Sequence, residues 1–554
     1  MRRTAGLVAL AALPVAVLSV FFVLPVSGMV ARGFWPEGTF DPGQVLDVLG
    51  RPRTHRVLWF TLWTSTAATA IAVLFGLPAA YALHRLAFPL RGLVRALLLV
   101  PFVLPTVVVG VAFRELLGEG GPLGFLGWDG TPAAILAGLV FFNTAVVIRT
   151  VGATWESLDP RPAEAAAALG AGPWTVFRTV TLPALRPAVV SAASVVFLFC
   201  ATAFGVVLTL GGVRYASVET EIYLLTTNLF DLSAAAALSL LQLLVVTLLL
   251  ALSARLRATP DGAVARGVSR PRPLFPRRAA RRPGPPAYGD VLAALSTLLL
   301  LLLVAAPIVT LIVGSLQRSG GGGWTLDNYQ ALGGTGEHDA LLAPAIDALV
   351  TSLRTAVDAT WMALLLGGLV ALVVTRRSHS RSERRIRGVL DGFFMLPLGV
   401  SAVTLGFGFL ITLGPLRSSP LLVPIAQALV ALPLVVRTLV PVLGGIDDRQ
   451  RQAAASLGAG PLRTALVVDL PIVWKPLLAA AGFCFAVSLG EFGATSFLAR
   501  AEEPTLPVVI FQLIGHPGAM NYQMALAASV VLAAATTVVM LLVERLRVPS
   551  AGAM

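Results

Sequence analysis

Charge is scarce in this chain. Asp, Glu, Lys and Arg make up 12% of its 554 residues, about half the share of a soluble globular protein. Lysine is nearly missing, since Lys475 is the single lysine among 41 basic residues. A phosphate-cradling P-loop needs Gly-Lys-Ser/Thr. Lys475 follows Trp474 and precedes Pro476, so the chain has no Walker A motif of its own. Two cysteines, Cys200 and Cys484, are too few for a disulfide framework or a zinc cage. Both sit in apolar runs and read as small buried side chains. The five histidines, His55, His84, His338, His379 and His516, fall in predicted loops or at span ends and form no ligand cluster. A membrane-embedded transferase would call for clustered carboxylates or histidines at one interface. Asp447-Asp448 is the only acidic pair of note near the repeated segments.

Apolar residues are abundant, at 56%. They come in runs of about 20 residues, as at 5–30, 291–313 and 525–542, which matches the ~30 Å hydrocarbon core of a bilayer. A soluble core would show periodic polar faces instead. The N-terminal run after Arg2-Arg3 is too long for a signal peptide and lacks a small-x-small cleavage site, so it reads as a retained first helix. Spans are predicted near 6–30, 57–83, 93–113, 133–152, 188–210 and 234–254. A second set falls near 291–315, 349–374, 388–413, 420–443, 476–498 and 523–543. The expectation is an all-α polytopic membrane protein with about twelve transmembrane helices.

The net charge of +13 is almost wholly arginine. The arginines sit in short loops between spans, which points to topology rather than to nucleic acid. Arg85, Arg91 and Arg95 follow the second span; Arg376, Arg377, Arg381, Arg384, Arg385 and Arg387 follow the eighth. The alternate loops carry Glu115, Glu119 and Asp129, then Glu219 and Glu221, then Glu337 and Asp339. This asymmetry places both termini in the cytoplasm of a multi-pass bacterial inner-membrane protein. An Arg- and Pro-rich segment, 256–288, has the composition of a flexible cytoplasmic linker. It separates two six-span units, 1–255 and 289–554.

The units are copies of each other. Arg149-Thr150, Asp159, Ala165-Ala166, Leu169-Gly170-Ala171-Gly172-Pro173 and Leu182-Pro183 recur as Arg437-Thr438, Asp447, Ala453-Ala454, Leu457-Gly458-Ala459-Gly460-Pro461 and Leu470-Pro471. The interval is constant, 437 − 149 = 288 and 471 − 183 = 288. It persists to Phe204-Gly205 against Phe492-Gly493. Such periodicity marks an internal repeat. Six spans per unit insert both copies the same way round, so the repeats are parallel. Two such bundles can enclose a path along their common axis.

The repeated loop reads as a short Ala-rich helix, a sharp turn at Gly170 or Gly458, and a proline, Pro183 or Pro471, that interrupts the next helix before the bilayer. The stretch Glu164-Ala165-Ala166-x-x-x-Gly170 followed by Leu182-Pro183 resembles the coupling motif of binding-protein-dependent ABC importer permeases. In the second half Ala453, Ala454 and Gly458 match, and Gln452 replaces the glutamate. The resemblance covers nearly the whole chain and implies a type I importer fold. It also implies docking of two ABC ATPase subunits on the two loops and delivery of solute by an extracytoplasmic binding protein. ATP would be used by the partner, with no cofactor in this chain and no catalytic residue. The fused layout is similar to the thiamine and iron(III) importer permeases. Phe204 to Gln242, and Ser488-Leu489-Gly490-Glu491-Phe492-Gly493 with Thr505-Leu506-Pro507, look closest to the thiamine transporters. Thiamine is therefore the expected solute and iron(III) the alternative.

Four residues are expected in the path. Glu491 is a carboxylate in an apolar span, costly unless paired or hydrated, and would suit a cationic thiazolium. Phe492 and Phe204 occupy equivalent positions and would form a symmetric gate. Asn143 is expected to hydrogen-bond across helices. Asp358, four residues after Arg354, is expected to form a local ion pair. An ion-coupled secondary transporter would need relay groups in several helices, and only Glu491 and Asp358 qualify.

Overall fold

The computed structural model describes residues 2–35, 38–212, 214–257, 272–273, 288–318, 323–375, 381–416 and 418–546. The segment read as a linker, 256–288, lies almost wholly outside these residues. Besides the helix ends at 256–257 and 288, it has one described stretch, Arg272–Pro273, which pairs in parallel with Leu86–Ala87.

Among the described residues, ten helices are long and apolar enough to cross a bilayer. In the first half these are α1 (Leu10–Phe34), α2 (Pro52–Arg85), α5 (Pro132–Ser157), α7 (Pro173–Ala201) and α10, apolar over Leu232–Ala251. In the second half they are α11 (Tyr288–Ser315), α12 (Ala345–Thr375), α15 (Leu422–Gly444), α17 (Ala465–Leu489) and α20, apolar over Ala519–Val543. The third and ninth of the twelve expected spans are broken instead. The third is a pair, α3 (Arg91–Phe102) and α4 (Thr106–Leu117), bent by 108°. Pro105, at ψ 138°, ends the break and leads into α4. Proline lacks an amide donor and disfavours the helical region at the residue before it, although Val100, before Pro101 in the last turn of α3, stays helical. The ninth is α13 (Arg381–Met395), a short 3-10 turn at Leu396–Gly399 that contains Pro397, and α14 (Ala402–Thr412). Ser401 caps α14 by accepting from the Thr404 amide at 3.0 Å.

The fifth and eleventh spans also end earlier than expected. After α7 the chain breaks at 202–204 and restarts as α8 (Gly205–Gly211). After α17 it breaks at 490–494 and restarts as α18 (Thr495–Leu498). The apolar run hid the first break, and the second holds Glu491. Small residues let them pack on the other broken helices. A Cβ on Gly490 would lie 3.1 Å from the Pro105 ring of the opposite half, and one on Gly406 would lie 2.7 Å from Ala494 Cα. Glycine there permits the close approach.

Contacts at the helix ends fix how the chain runs. Tyr81 and Trp155 rings lie 5.3 Å apart, and His84 Nδ1 is 2.7 Å from Glu156 Oε1. The C-terminal ends of α2 and α5 are therefore neighbours, the two helices are parallel, and the broken pair between them crosses back. The same pairing recurs in the second half, where Gly367 faces Val435 as Gly76 faces Val147. Tyr81 donates to Asp290 at 2.9 Å, which brings the start of α11 to the same end. The segments that follow α5 and α15 thus lie at one end of the bundle, with the arginine-rich loops. At the other end Tyr522 donates to Glu115 at 2.7 Å. There α1 crosses to the second half: Phe21 and Phe409 rings are 5.9 Å apart, and a Cβ on Gly408 would lie 2.9 Å from Pro25.

Candidate coupling elbows and axial site

Each half carries one elbow. The first is α6 (Arg161–Ala168) and the second is α16 (Asp448–Ser456). Each starts the same way: Asp159 Oδ1 accepts from the Arg161 amide and Asp447 Oδ1 from the Arg449 amide, both at 3.0 Å. Each stops the same way too. Gly170 has φ +88° and Gly458 φ +82°. Ala171 N–H reaches Ala166 O at 3.1 Å and Gly170 N–H reaches Ala167 O at 3.0 Å; Ala459 and Gly458 repeat both bonds on Ala454 and Ala455 at 3.0 Å. This is a Schellman cap, which glycine favours because the left-handed conformation strains any side chain. The helix at each elbow leaves Leu169 and Leu457 88–89% exposed. Glu164, Ala165, Ala166 and their counterparts Gln452, Ala453 and Ala454 are also at the surface or half-exposed.

Pro183 and Pro471 do not interrupt their helices. A π-turn, Phe177–Thr181 or Ala465–Asp469, leads straight into the α-helix that contains each proline. The wider i→i+5 register makes room for a ring that would otherwise meet the carbonyl four residues back.

The elbows differ in what holds them. Glu156, just before the first, contacts His84 at 2.7 Å and Arg95 at 3.5 Å, and the Arg85 guanidinium donates to Leu158 O at 3.4 Å. At the equivalent of Glu156 (156 + 288 = 444) stands Gly444, which has no side chain. The second elbow is strapped to its own π-turn instead: Arg451 Nε donates to Asp469 at 2.8 Å and also lies 3.6 Å from Asp448.

The four helix breaks surround a cluster of rings on the axis between the halves. Phe204 and Phe492 stack with centroids 5.2 Å apart and planes at 24°. Phe204 meets Tyr223 at 5.4 Å, and Phe492 meets Phe511, on α19 (Leu506–Gly515), at 5.4 Å. Since 223 + 288 = 511, the four rings repeat the symmetry of the sequence. Phe497 adds a fifth ring at 5.5 Å from Tyr223 and breaks that symmetry. Tyr223 and Phe511 were not assigned to the path from sequence; their constant interval with Phe204 and Phe492 was the signal. Phe497 also lines a cavity of about 780 Å³ toward the acid-rich end, with Arg32, Trp35, Thr227 and Phe230. That volume lies within the range of ligand pockets.

Glu491 is buried, but in a helix break rather than within a span. Its carboxylate accepts from the Ala494 amide at 2.7 Å, the Thr495 amide at 3.1 Å and the Thr495 hydroxyl at 2.7 Å. It caps the restart of its own chain. Asn143 donates to Leu139 O at 2.9 Å within its helix and reaches across to Cys200 Sγ on α7 at 3.3 Å. Asp358 accepts from the Trp361 indole at 3.3 Å rather than pairing with Arg354.

Glu219 and Glu221, read as outer-loop charges, lie on α9 (Val218–Thr227) and are both buried. Arg53 binds Glu221 with two nitrogens, at 2.5 and 2.9 Å. Glu219 accepts from the Gln242 amide and, at 3.0 Å, from the Ser401 hydroxyl of the opposite half. Among the described residues, no group of three or more His, Cys, Asp and Glu is placed to hold a metal ion.

Comparison with known proteins returns one family twice. Residues 72–258 and 363–547 match the family described as binding-protein-dependent transport system inner membrane component. The thiamine transport system permease protein ThiP of Brucella abortus is 29% identical over 477 residues, 83% of this chain and 82% of that one. The protein of the same name from Escherichia coli K12 is 27% identical over 476 residues, 83% of each chain. A chain of a solved bacterial alginate ABC transporter, in complex with an alginate pentasaccharide-bound periplasmic protein, aligns with a TM-score of 0.40 and 17% identity, covering 47% of this chain and 97% of that chain.

Proposed function

The chain belongs to the family of binding-protein-dependent transport system inner membrane components, and on that premise we propose that it moves thiamine inward when a separate ATPase pulls on its two elbows. It is a fused, multi-pass inner-membrane permease of an ABC importer, with both family repeats in one polypeptide. The observation that carries the coupling role is the pair of identically capped elbows at one end of the bundle, each presenting a bare leucine. What supports a docking surface is that the same leucine is bare at the same place in both copies, 169 + 288 = 457. Glu164, Ala165, Ala166 and Gly170, and Gln452, Ala453, Ala454 and Gly458, form the two contact segments. The termini and both elbows lie in the cytoplasm under this reading, where the arginine-rich loops are favoured. ATP is consumed on the partner, and this subunit needs no cofactor and catalyses no reaction.

Thiamine is supported by relatives of that name that align along four-fifths of both chains. An organic ring also suits the aromatic cluster on the axis. In this role the Phe204–Phe492 stack closes the path, and separation of the halves opens it. The binding protein delivers solute to the acid-rich end, where the cavity beside Phe497 lies.

The test is uptake by the complete complex in proteoliposomes. Thiamine uptake that requires ATP, the binding protein and the ATPase is the expected result. A binding protein that takes ferric iron and not thiamine would overturn the substrate. Truncating Phe204 or Phe492 to Ala removes a ring contact of about 0.5–1.5 kcal/mol beyond its buried area. Either change is expected to leak thiamine from loaded vesicles without ATP, and a tight barrier in both variants would remove the stack from the gate.

A further inference from the structure

Three carboxylates lie buried around the axial breaks, and their surroundings differ. Glu221 has the fork of Arg53. Glu491 has two backbone amides and a hydroxyl. Glu219 is fully buried and has two neutral donors, the Gln242 amide and the Ser401 hydroxyl. A carboxylate offers about four acceptor positions, so Glu219 keeps capacity that no group among the described residues fills. Beside it, Gln242 Oε1 is buried without a partner. Two oxygen-bearing groups with unfilled acceptors thus stand together inside an apolar bundle, where an uncompensated negative charge is costly.

The rings stand close by. Tyr223 follows Glu219 by four residues on α9, so both project from one face of the helix. Tyr223 packs edge-on against Phe204, which stacks on Phe492. The start of α9 is held against the 202–204 break by Ser217, whose hydroxyl donates to Ala203 O at 3.4 Å. A carboxylate joined to aromatic faces is the chemistry that recognises organic cations.

We propose that Glu219, with Gln242 Oε1 and the faces of Tyr223, Phe204 and Phe492, is the specificity-determining site for a monovalent organic cation on the translocation path. The site is single, because position 507, its counterpart at 219 + 288, is Pro507. Ser401 belongs to the opposite half. When the halves part, that hydroxyl leaves and a carboxylate oxygen is freed for the arriving cation. The inference rests on the permease reading and names the feature of the solute, its positive ring, that this subunit selects.

The test uses the chain bound to its ATPase in nanodiscs, held outward-facing with ATP and vanadate, and no binding protein. The probes are thiamine and its uncharged isostere, in which a thiophene replaces the thiazolium. Quenching of the intrinsic tryptophan fluorescence reports binding. The wild type is expected to prefer thiamine by at least about tenfold, a factor that corresponds to ~1.4 kcal/mol. Glu219→Gln is expected to erase the preference while thermal stability stays unchanged, and Glu219→Asp to keep most of it. Gln242→Glu, which adds a second carboxylate, is expected to raise it, so the idea stays testable even if Glu219→Gln folds poorly. No cation preference in the wild type, or an unchanged preference in Glu219→Gln, would overturn the proposal. A wild type that binds tetramethylammonium or choline but not thiamine would sink the thiamine reading and leave the cation site standing. Binding of none of these probes would sink the site.

Discussion

The two elbows share one backbone and are held in two ways. Helix start, Schellman stop and bare leucine repeat across 288 residues. The tethers do not repeat. The first elbow follows directly from Glu156, which is fastened to α2 and α3 through His84 and Arg95. The second is closed on itself by Arg451 and Asp469. The geometry that the proposed function assigns to the partner contact is the same in both copies, and the connection to the bundle differs. Under the proposed coupling role, the first elbow is expected to pass displacement to α2 and α3 through Glu156, and the second, closed on its own π-turn, to pass it along α17.

The comparison breaks most sharply at the glycines. Gly170→Pro or Gly458→Pro removes a capping amide and forbids a positive φ, a conformation that costs ordinary L-residues about 1–2 kcal/mol. Uptake is expected to fall more than about tenfold in either variant while the chain still inserts, as measured by transport against membrane yield. Equal wild-type uptake in both would remove the coupling role. Next come the exposed leucines. Leu169→Glu and Leu457→Glu put a charge where an apolar contact is expected. Each should weaken ATPase association by roughly tenfold in a pull-down titration, a change of ~1.4 kcal/mol. The stability of the isolated chain should shift by no more than about 0.5 kcal/mol, as exposed sites allow.

The tethers separate the two copies. Glu156→Ala releases the first elbow from the bundle and is expected to uncouple, with hydrolysis retained and uptake per ATP several-fold lower. Arg451→Ala breaks a half-buried pair worth on the order of 1 kcal/mol. It is expected to loosen the second elbow, seen as faster amide exchange over 448–469, with a smaller loss of uptake. If the two variants lose coupling equally, the difference in tethering has no mechanical meaning. The smallest effect is expected from the charge swap. Gln452→Glu and Glu164→Gln should each change hydrolysis by about twofold or less, as exposed charges do, and in opposite directions.

The fold was legible where the sequence repeats or runs apolar. Runs of about 20 residues gave the long helices, and the interval of 288 gave the parallel halves and the twin elbows. Polarity gave no warning of the break at 202–204, where the sequence runs Thr-Ala-Phe within an apolar stretch, whereas Glu491 marked the break at 490–494 and reads as a path-lining group rather than as a stop. Pro101, Pro105 and Pro397 were visible as residues, but their effect depends on which neighbour fills the gap. Glu219 was misplaced because a charged residue beside a loop reads as exposed. It is buried against Gln242 and against Ser401, the latter 182 residues away, which no local pattern reveals. Glu491 was found as a buried carboxylate, and its local capping role appears only once the helix is seen to stop at Leu489.

The central claim is that both elbows face the cytoplasm and are gripped by one ATPase pair. Leu169→Cys and Leu457→Cys, each introduced singly, test it with a membrane-impermeant maleimide, since the native Cys200 and Cys484 are buried. Both new thiols are expected to react in inside-out vesicles, to stay unlabelled in right-side-out vesicles, and to be protected once the ATPase is added back. Labelling of either from the outside, or no protection at both, would contradict the account.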